Sequence, residues 1–151
     1  MERKEKVTLT NMCMIYDDKG NVLVQDRVNK KWPGVTFPGG HVEKGETFTD
    51  SVIREVKEET GLYISDLRIC GIKQWIGDDG GRYIVLCYKT NKFEGELRSS
   101  EEGEMRWVRL DELWKLNLAS GMKYTLRLFL EDGANEHVCH MENGEVVNVV
   151  M

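Results

Sequence analysis

Gly40-His41-Val42-Glu43-Lys44-Gly45-Glu46-Thr47-Phe48-Thr49-Asp50-Ser51-Val52-Ile53-Arg54-Glu55-Val56-Lys57-Glu58-Glu59-Thr60-Gly61-Leu62 is the stretch on which the fold and chemistry of this chain turn. Thr47 has the character of an N-cap, with acidic Asp50 three positions on. The pattern predicts a helix from Thr47 to Thr60, with Gly61 suited to close it. Val52 and Val56 lie four apart and Phe48 one turn earlier, an apolar stripe for packing. Glu55, Glu58 and Glu59 are related by i+3 and i+4, so their carboxylates gather along one side.

That cluster breaks two electrostatic rules. Like charges at this spacing repel by about 0.2–0.5 kcal/mol per pair. They also occupy the last turns of the helix, where the negative end of the macrodipole disfavours anions. A solvated acidic face would account for three glutamates by themselves, but their surroundings argue for chemistry. Gly39-Gly40 lets a loop approach closely with bare carbonyls available to a hard cation. Arg54 stands four residues before Glu58, able to orient a carboxylate, and Glu46 follows Gly45 just before the helix. Carboxylates and a carbonyl, with room for water and phosphate oxygens, suit Mg²⁺, with Mn²⁺ as a substitute.

Outward from the helix, the chain reads as mixed α/β. Val7 to Asp17 and Asn21 to Val28 are expected strands about the turn Asp17-Asp18-Lys19-Gly20. Asn29 to Gly34 reads as a loop, and Pro38-Gly39-Gly40 stops regular structure after Phe37. Leu67 to Trp75 and Arg82 to Thr90 read as strands joined across Gly77–Gly81, followed by a short strand at Arg106 to Arg109. A turn or short helix is expected from Asp111, a second helix from about Gly121 to Glu131, and a hairpin over about 137–150 around Glu142-Asn143-Gly144. Residues 1–151 are expected to form one domain.

Composition limits the partners. The 151 residues carry a formal net charge of -5 and no basic run longer than Lys30-Lys31, so polymeric nucleic acid is not an expected partner. No apolar run is long enough to span a bilayer, and the charged start Met1–Lys6 is not that of a signal peptide, so a cytoplasmic protein is expected. Cys13, Cys70, Cys87 and Cys139 read as reduced thiols. His137, Cys139 and His140 make a poor metal set, because His140 would face away on a strand and a fourth ligand is missing.

Written as Gly40-x5-Glu46-x7-Arg54-Glu55-Val56-x-Glu58-Glu59-x-Gly61-Leu62, residues 40–62 resemble the Nudix box, the defining motif of the Nudix hydrolases. Seven specified residues at fixed spacing should arise by chance in on the order of one chain in a million. Trp32-Pro33-Gly34 and Phe37-Pro38-Gly39 also look like the family. The resemblance implies a Nudix-type αβα sandwich with a mixed β-sheet over about residues 5–131, leaving the C-terminal hairpin outside it. It implies that Glu55, Glu58 and Glu59 hold metal with the Gly39 carbonyl, that Arg54 fixes the catalytic glutamate, and that Glu46 braces the loop or binds metal through water. The glutamate from a later loop that members often use is expected at Glu104, with Glu102 second. The general base is Glu58 or that distal glutamate. Arg27 is a candidate phosphate contact, Gly40 lets the substrate approach, and Trp75 and Tyr83 are candidates to stack on a base.

The compact chain is similar to the MutT-type branch, which implies hydrolysis of a nucleoside triphosphate, 8-oxo-dGTP among the candidates, to monophosphate and pyrophosphate. Where oxidised-purine enzymes often carry Asn or Asp, this chain offers Asn117, Ser120 or Gly121. Three alternatives remain open. One is another nucleoside diphosphate compound as substrate, such as ADP-ribose or a nucleotide sugar. The others are a non-catalytic nucleotide sensor and an acidic helix that binds calcium or a partner. The expected partner is a small-molecule nucleotide, and a monomer or homodimer is expected.

Overall fold

A computed structural model describes residues 2–151, and Met1 lies outside the described residues. Strand β1 (Val7–Ile15) pairs in parallel with β6 (Arg82–Thr90), which pairs antiparallel with β5 (Arg68–Ile76). β5 in turn pairs in parallel with β9 (Glu136–Glu142), and β9 turns back antiparallel into β10 (Glu145–Val150). The five-stranded sheet is therefore mixed, in the order β1-β6-β5-β9-β10. A smaller antiparallel sheet is built of β3 (Gly34–Thr36), β2 (Asn21–Arg27) and β8 (Gly103–Arg109), and β4 (Tyr63–Ser65) pairs with β7 (Lys92–Glu94).

β1 is apolar on both faces because both are covered. Its Met12 and Met14 enter one core with Val85, Cys87 and the residues Met122, Leu126 and Phe129 of helix α2 (Met122–Leu130). Cys13 and Ile15 enter a second core with Val52 and Val56 of helix α1 (Phe48–Thr60). The two helices thus pack on opposite faces of the sheet, the expected αβα sandwich. Burying each of Val52 and Val56 stabilises by about 1.5–3 kcal/mol. Capping of α1 follows the sequence: the Thr47 side chain accepts from the Asp50 N–H, and Gly61 ends the helix at φ 81°.

Several expectations need correction. Phe48 is 44% exposed rather than part of the packing stripe. A helical side chain leans towards the N-terminus, so at the first helical position it overhangs the core; buried Ser51 takes a place on that face instead. The strand expected at Arg106 begins at Gly103, and β3, β4 and β7, each three residues long, escape a reading based on alternation. The C-terminal hairpin is present, closed by Asn143 and Gly144 at φ 52° and 81°. It is an integral part of the main sheet, with Ile72–Gln74 of β5 registered against Glu136–Val138 of β9. The four cysteines are free thiols. No helix among the described residues is long and apolar enough to cross a membrane.

Candidate active site

The segment before α1 is laid along the free edge of β1. Asn11 and Cys13 donate backbone N–H groups to the carbonyls of Gly40 and Pro38 at 2.8 and 2.9 Å, and Val42 donates back to Leu9 at 2.9 Å. The Gly39 carbonyl, between those acceptors, takes neither bond. Buried Asn11 ties this loop to the helix: its Oδ1 accepts from the Gly40 N–H at 3.0 Å, and its Nδ2 donates to Ser51 Oγ at 3.0 Å. A Cβ on Gly39 would stand 2.0 Å from the Asn11 carbonyl oxygen, and one on Gly40 2.2 Å from Glu55 Cδ. Gly39 is demanded by room against backbone, whereas at Gly40 a Cβ would displace the end of the Glu55 side chain.

Arg54 gathers the acidic groups of the loop and helix. Its guanidinium donates to Glu46 at 2.8 and 3.0 Å, to Glu55 at 3.0 Å, to Glu58 at 3.3 Å and to the His41 carbonyl at 2.9 Å. Glu46 also accepts from the Glu43 N–H, so it braces the loop, and these donors, Arg54 first, hold its carboxyl below the usual range. Burial raises the Glu55 pKa, with Arg54 opposing. Glu58 remains the exposed member of the trio.

Glu59 is the residue under electrostatic stress. It is 3% exposed; its Oε2 accepts from the Gly39 N–H at 2.9 Å, while Oε1 is buried without a partner. Burial first, then the facing Glu102 carboxylate, pushes its pKa up to about 9. Two carboxylates can hydrogen-bond only when one carries a proton. Glu102, from the turn before β8, is the later-loop glutamate that stands against Glu59. Glu104, expected in that place, registers instead with Asp26 within β8, on the side where Arg106 pairs with Asp26 at 2.8 Å, while Glu102 lies in the turn before the strand.

A cavity of about 450 Å³ adjoins this loop, lined by Gly39, Gly40 and His41 and walled by Arg27, Trp32 and Trp75. Arg27 lies 5.4 Å from the centre of the Trp32 ring, with its Nε buried and without a partner. Trp75 lines the cavity, whereas Tyr83 does not: it stacks on Trp75 at 5.1 Å and 9°. Asn11 and Lys73 are not among the expected site residues: each sits in a strand beside another polar residue, Thr10 and Gln74, with no motif to single it out.

The donor set fits a hard divalent cation. It offers carboxylates, an orphaned buried oxygen on Glu59, and a glycine carbonyl beside them. Among the described residues no three His, Cys, Asp or Glu side chains stand in ligating geometry, and Arg54 holds Glu55 and Glu58. The Arg54–Glu58 contact is exposed on the Glu58 side and costs little to exchange.

A model of the NUDIX domain matches residues 7–129. The uncharacterized Nudix hydrolase YvcI of Bacillus subtilis is 31% identical over 82% of this chain and 78% of its own length. The ADP-ribose pyrophosphatase of Methanocaldococcus jannaschii is 32% identical over 68% of this chain and 62% of its own. Among solved structures, the MutT mutator protein of Bacillus halodurans superposes with a TM-score of 0.80 at 26% identity, covering 95% of this chain and 97% of that one.

Proposed function

The chain belongs to the Nudix hydrolase family, whose members generally use divalent metal ions, and on that footing we propose that it hydrolyses a nucleoside triphosphate to monophosphate and pyrophosphate with Mg²⁺. The observation that carries the reading is the junction of two features: the box carboxylates ordered by Arg54, and a cavity walled by tryptophans that adjoins them. The likeness over nearly the whole chain to a MutT mutator protein supports the branch.

Glu55, Glu58, Glu59 and the Gly39 carbonyl would hold the cation. When bound, a divalent cation offsets phosphate charge and acidifies water. Arg54 holds Glu55 and Glu58 in register, and Glu46 holds Arg54. Arg27, unpaired at the cavity wall, contacts a phosphate oxygen. Water attacks phosphorus, the anhydride P–O bond breaks, pyrophosphate leaves, and the proton passes to Glu58, the exposed carboxylate. Glu102 positions Glu59. The protein acts on free nucleotides in the cytoplasm.

Turnover should require Mg²⁺ or Mn²⁺ and vanish in excess EDTA, because the site has no other charge dense enough to clamp phosphates. The value of kcat/KM should be higher for 8-oxo-dGTP than for dGTP. Equal values would remove the oxidised nucleotide as the favoured substrate, and preference for ADP-ribose or a nucleotide sugar would replace the triphosphate reading. Full turnover in chelator would sink the metal mechanism.

A further inference from the structure

The cavity has an end that the glutamates do not use. Thr10, Val85, Lys73 and His137 form one cross-strand row over β1, β6, β5 and β9. Neighbouring strands are about 4.8 Å apart, so Lys73 stands roughly 10 Å from the β1 edge that carries Gly39–His41. A nucleotide whose phosphates lie at that edge extends its base towards Lys73.

Lys73 is only 7% exposed, yet it lines the cavity. Its Nζ lies 5.3 Å from the centre of the Trp32 ring and 5.5 Å from that of Trp75. Above it, Gly121 begins α2 without a side chain: a Cβ there would stand 3.6 Å from Lys73 Nζ, 3.7 Å from His137 Cε1 and 3.8 Å from Asn148 Oδ1. The Asn148 oxygen is engaged by His137 and Cys139 at 2.8 and 3.2 Å. Among the described residues no ion pair forms with Lys73; burial holds its pKa down, and the groups that oppose this are thiols. The ring faces stabilise a cation here but accept none of its directional hydrogen bonds.

We infer that Lys73 determines specificity by donating to the carbonyl edge of an oxo nucleobase, guanine foremost, lying against Trp32 and Trp75. This rests on the reading of the site as a nucleotide hydrolase. Guanine presents the acceptor O6, which 8-oxoguanine retains, where adenine presents an amino donor. An ammonium has donors only, so it matches the first edge and opposes the second. Stacking on an aromatic face is open to either purine, since each has a π-face, which leaves discrimination between them to Lys73. His137, Cys139 and Asn148 close the pocket behind it, a role for the C-terminal hairpin beyond the matched residues 7–129.

The experiment compares kcat/KM for dGTP and dATP in the native protein, Lys73→Met and Lys73→Gln, and measures GMP and AMP binding by tryptophan fluorescence. The native protein should favour guanine at least about tenfold in both readouts, the scale expected when a buried donor loses its acceptor. Lys73→Met should bring the ratio within about threefold without lowering the melting temperature, because it replaces a buried unpaired cation. Lys73→Gln should move the preference towards adenine, whose N6 and N7 suit a carboxamide. A ratio unchanged in both variants, or no guanine preference in the native protein, overturns the assignment. If neither triphosphate is cleaved while GMP still binds preferentially through Lys73, the hydrolytic reading falls and the Lys73 assignment stands.

Discussion

Replacing Glu59 by Gln should lower turnover at least about a hundredfold, the scale of losing a key ligand or base, and yet stabilise the metal-free protein at pH 8. The two effects have one origin. Glu59 is buried against Glu102, with one oxygen bonded to Gly39 and the other unpartnered. Below about pH 4.5 both folded and unfolded chains carry its proton; above that the unfolded chain releases it, while the folded protein retains it until about pH 9. Stability of the metal-free protein therefore falls as pH rises through this window. Gln at this position keeps the bond from Gly39 and donates to Glu102 with no proton to hold. It should stabilise by about 1–2 kcal/mol at pH 8 and by little at pH 5. Urea titrations in EDTA at both pH values, alongside kinetics, measure this. A variant destabilised at pH 8 with full turnover would make Glu59 an ordinary structural residue.

Gly39→Ala should damage stability and activity together. The new Cβ would meet the backbone oxygen of Asn11 at 2.0 Å, so the loop must leave the β1 edge, at a cost of about 1–3 kcal/mol. That movement displaces the donor to Glu59 and the carbonyl beside it, and misplacement by about 1 Å can cost a hundredfold in rate. Gly80→Ala is the control. Gly80 has φ 82° with nothing near its missing Cβ, so alanine there should cost about 1–2 kcal/mol in backbone strain and leave turnover alone. Denaturation and kinetics on both variants distinguish steric exclusion at the site from a general intolerance of lost glycine. Equal rates for Gly39→Ala and the native protein would show that the loop's position is immaterial.

Helix α1 was legible because capping, apolar spacing and acidic spacing are all local. The hairpin at Asn143-Gly144 was legible for the same reason. The Arg54–Glu58 contact follows from a spacing of four residues, and the structure adds that Arg54 also spans back to Glu46. What stayed hidden depends on register between distant segments. Glu102 and Glu104 look alike in a row of acidic residues, and only the pairing of β8 with β2 shows that Glu104 faces Asp26 and Arg106. Trp75 and Tyr83 are both strand aromatics, and only their cross-strand pairing shows that Tyr83 stacks on Trp75. Asn11 and Lys73 meet their partners across many residues of sequence, so no window could expose them.

The reaction is defined by which bond is broken. Phosphorus NMR of the products formed from dGTP and 8-oxo-dGTP, with Mg²⁺ and limiting protein, tests it most directly. Nucleoside monophosphate and pyrophosphate are expected in equal amounts with no orthophosphate, and no products from the Glu58→Gln protein over the same time. Release of orthophosphate and nucleoside diphosphate, or equal product from Glu58→Gln, would contradict it.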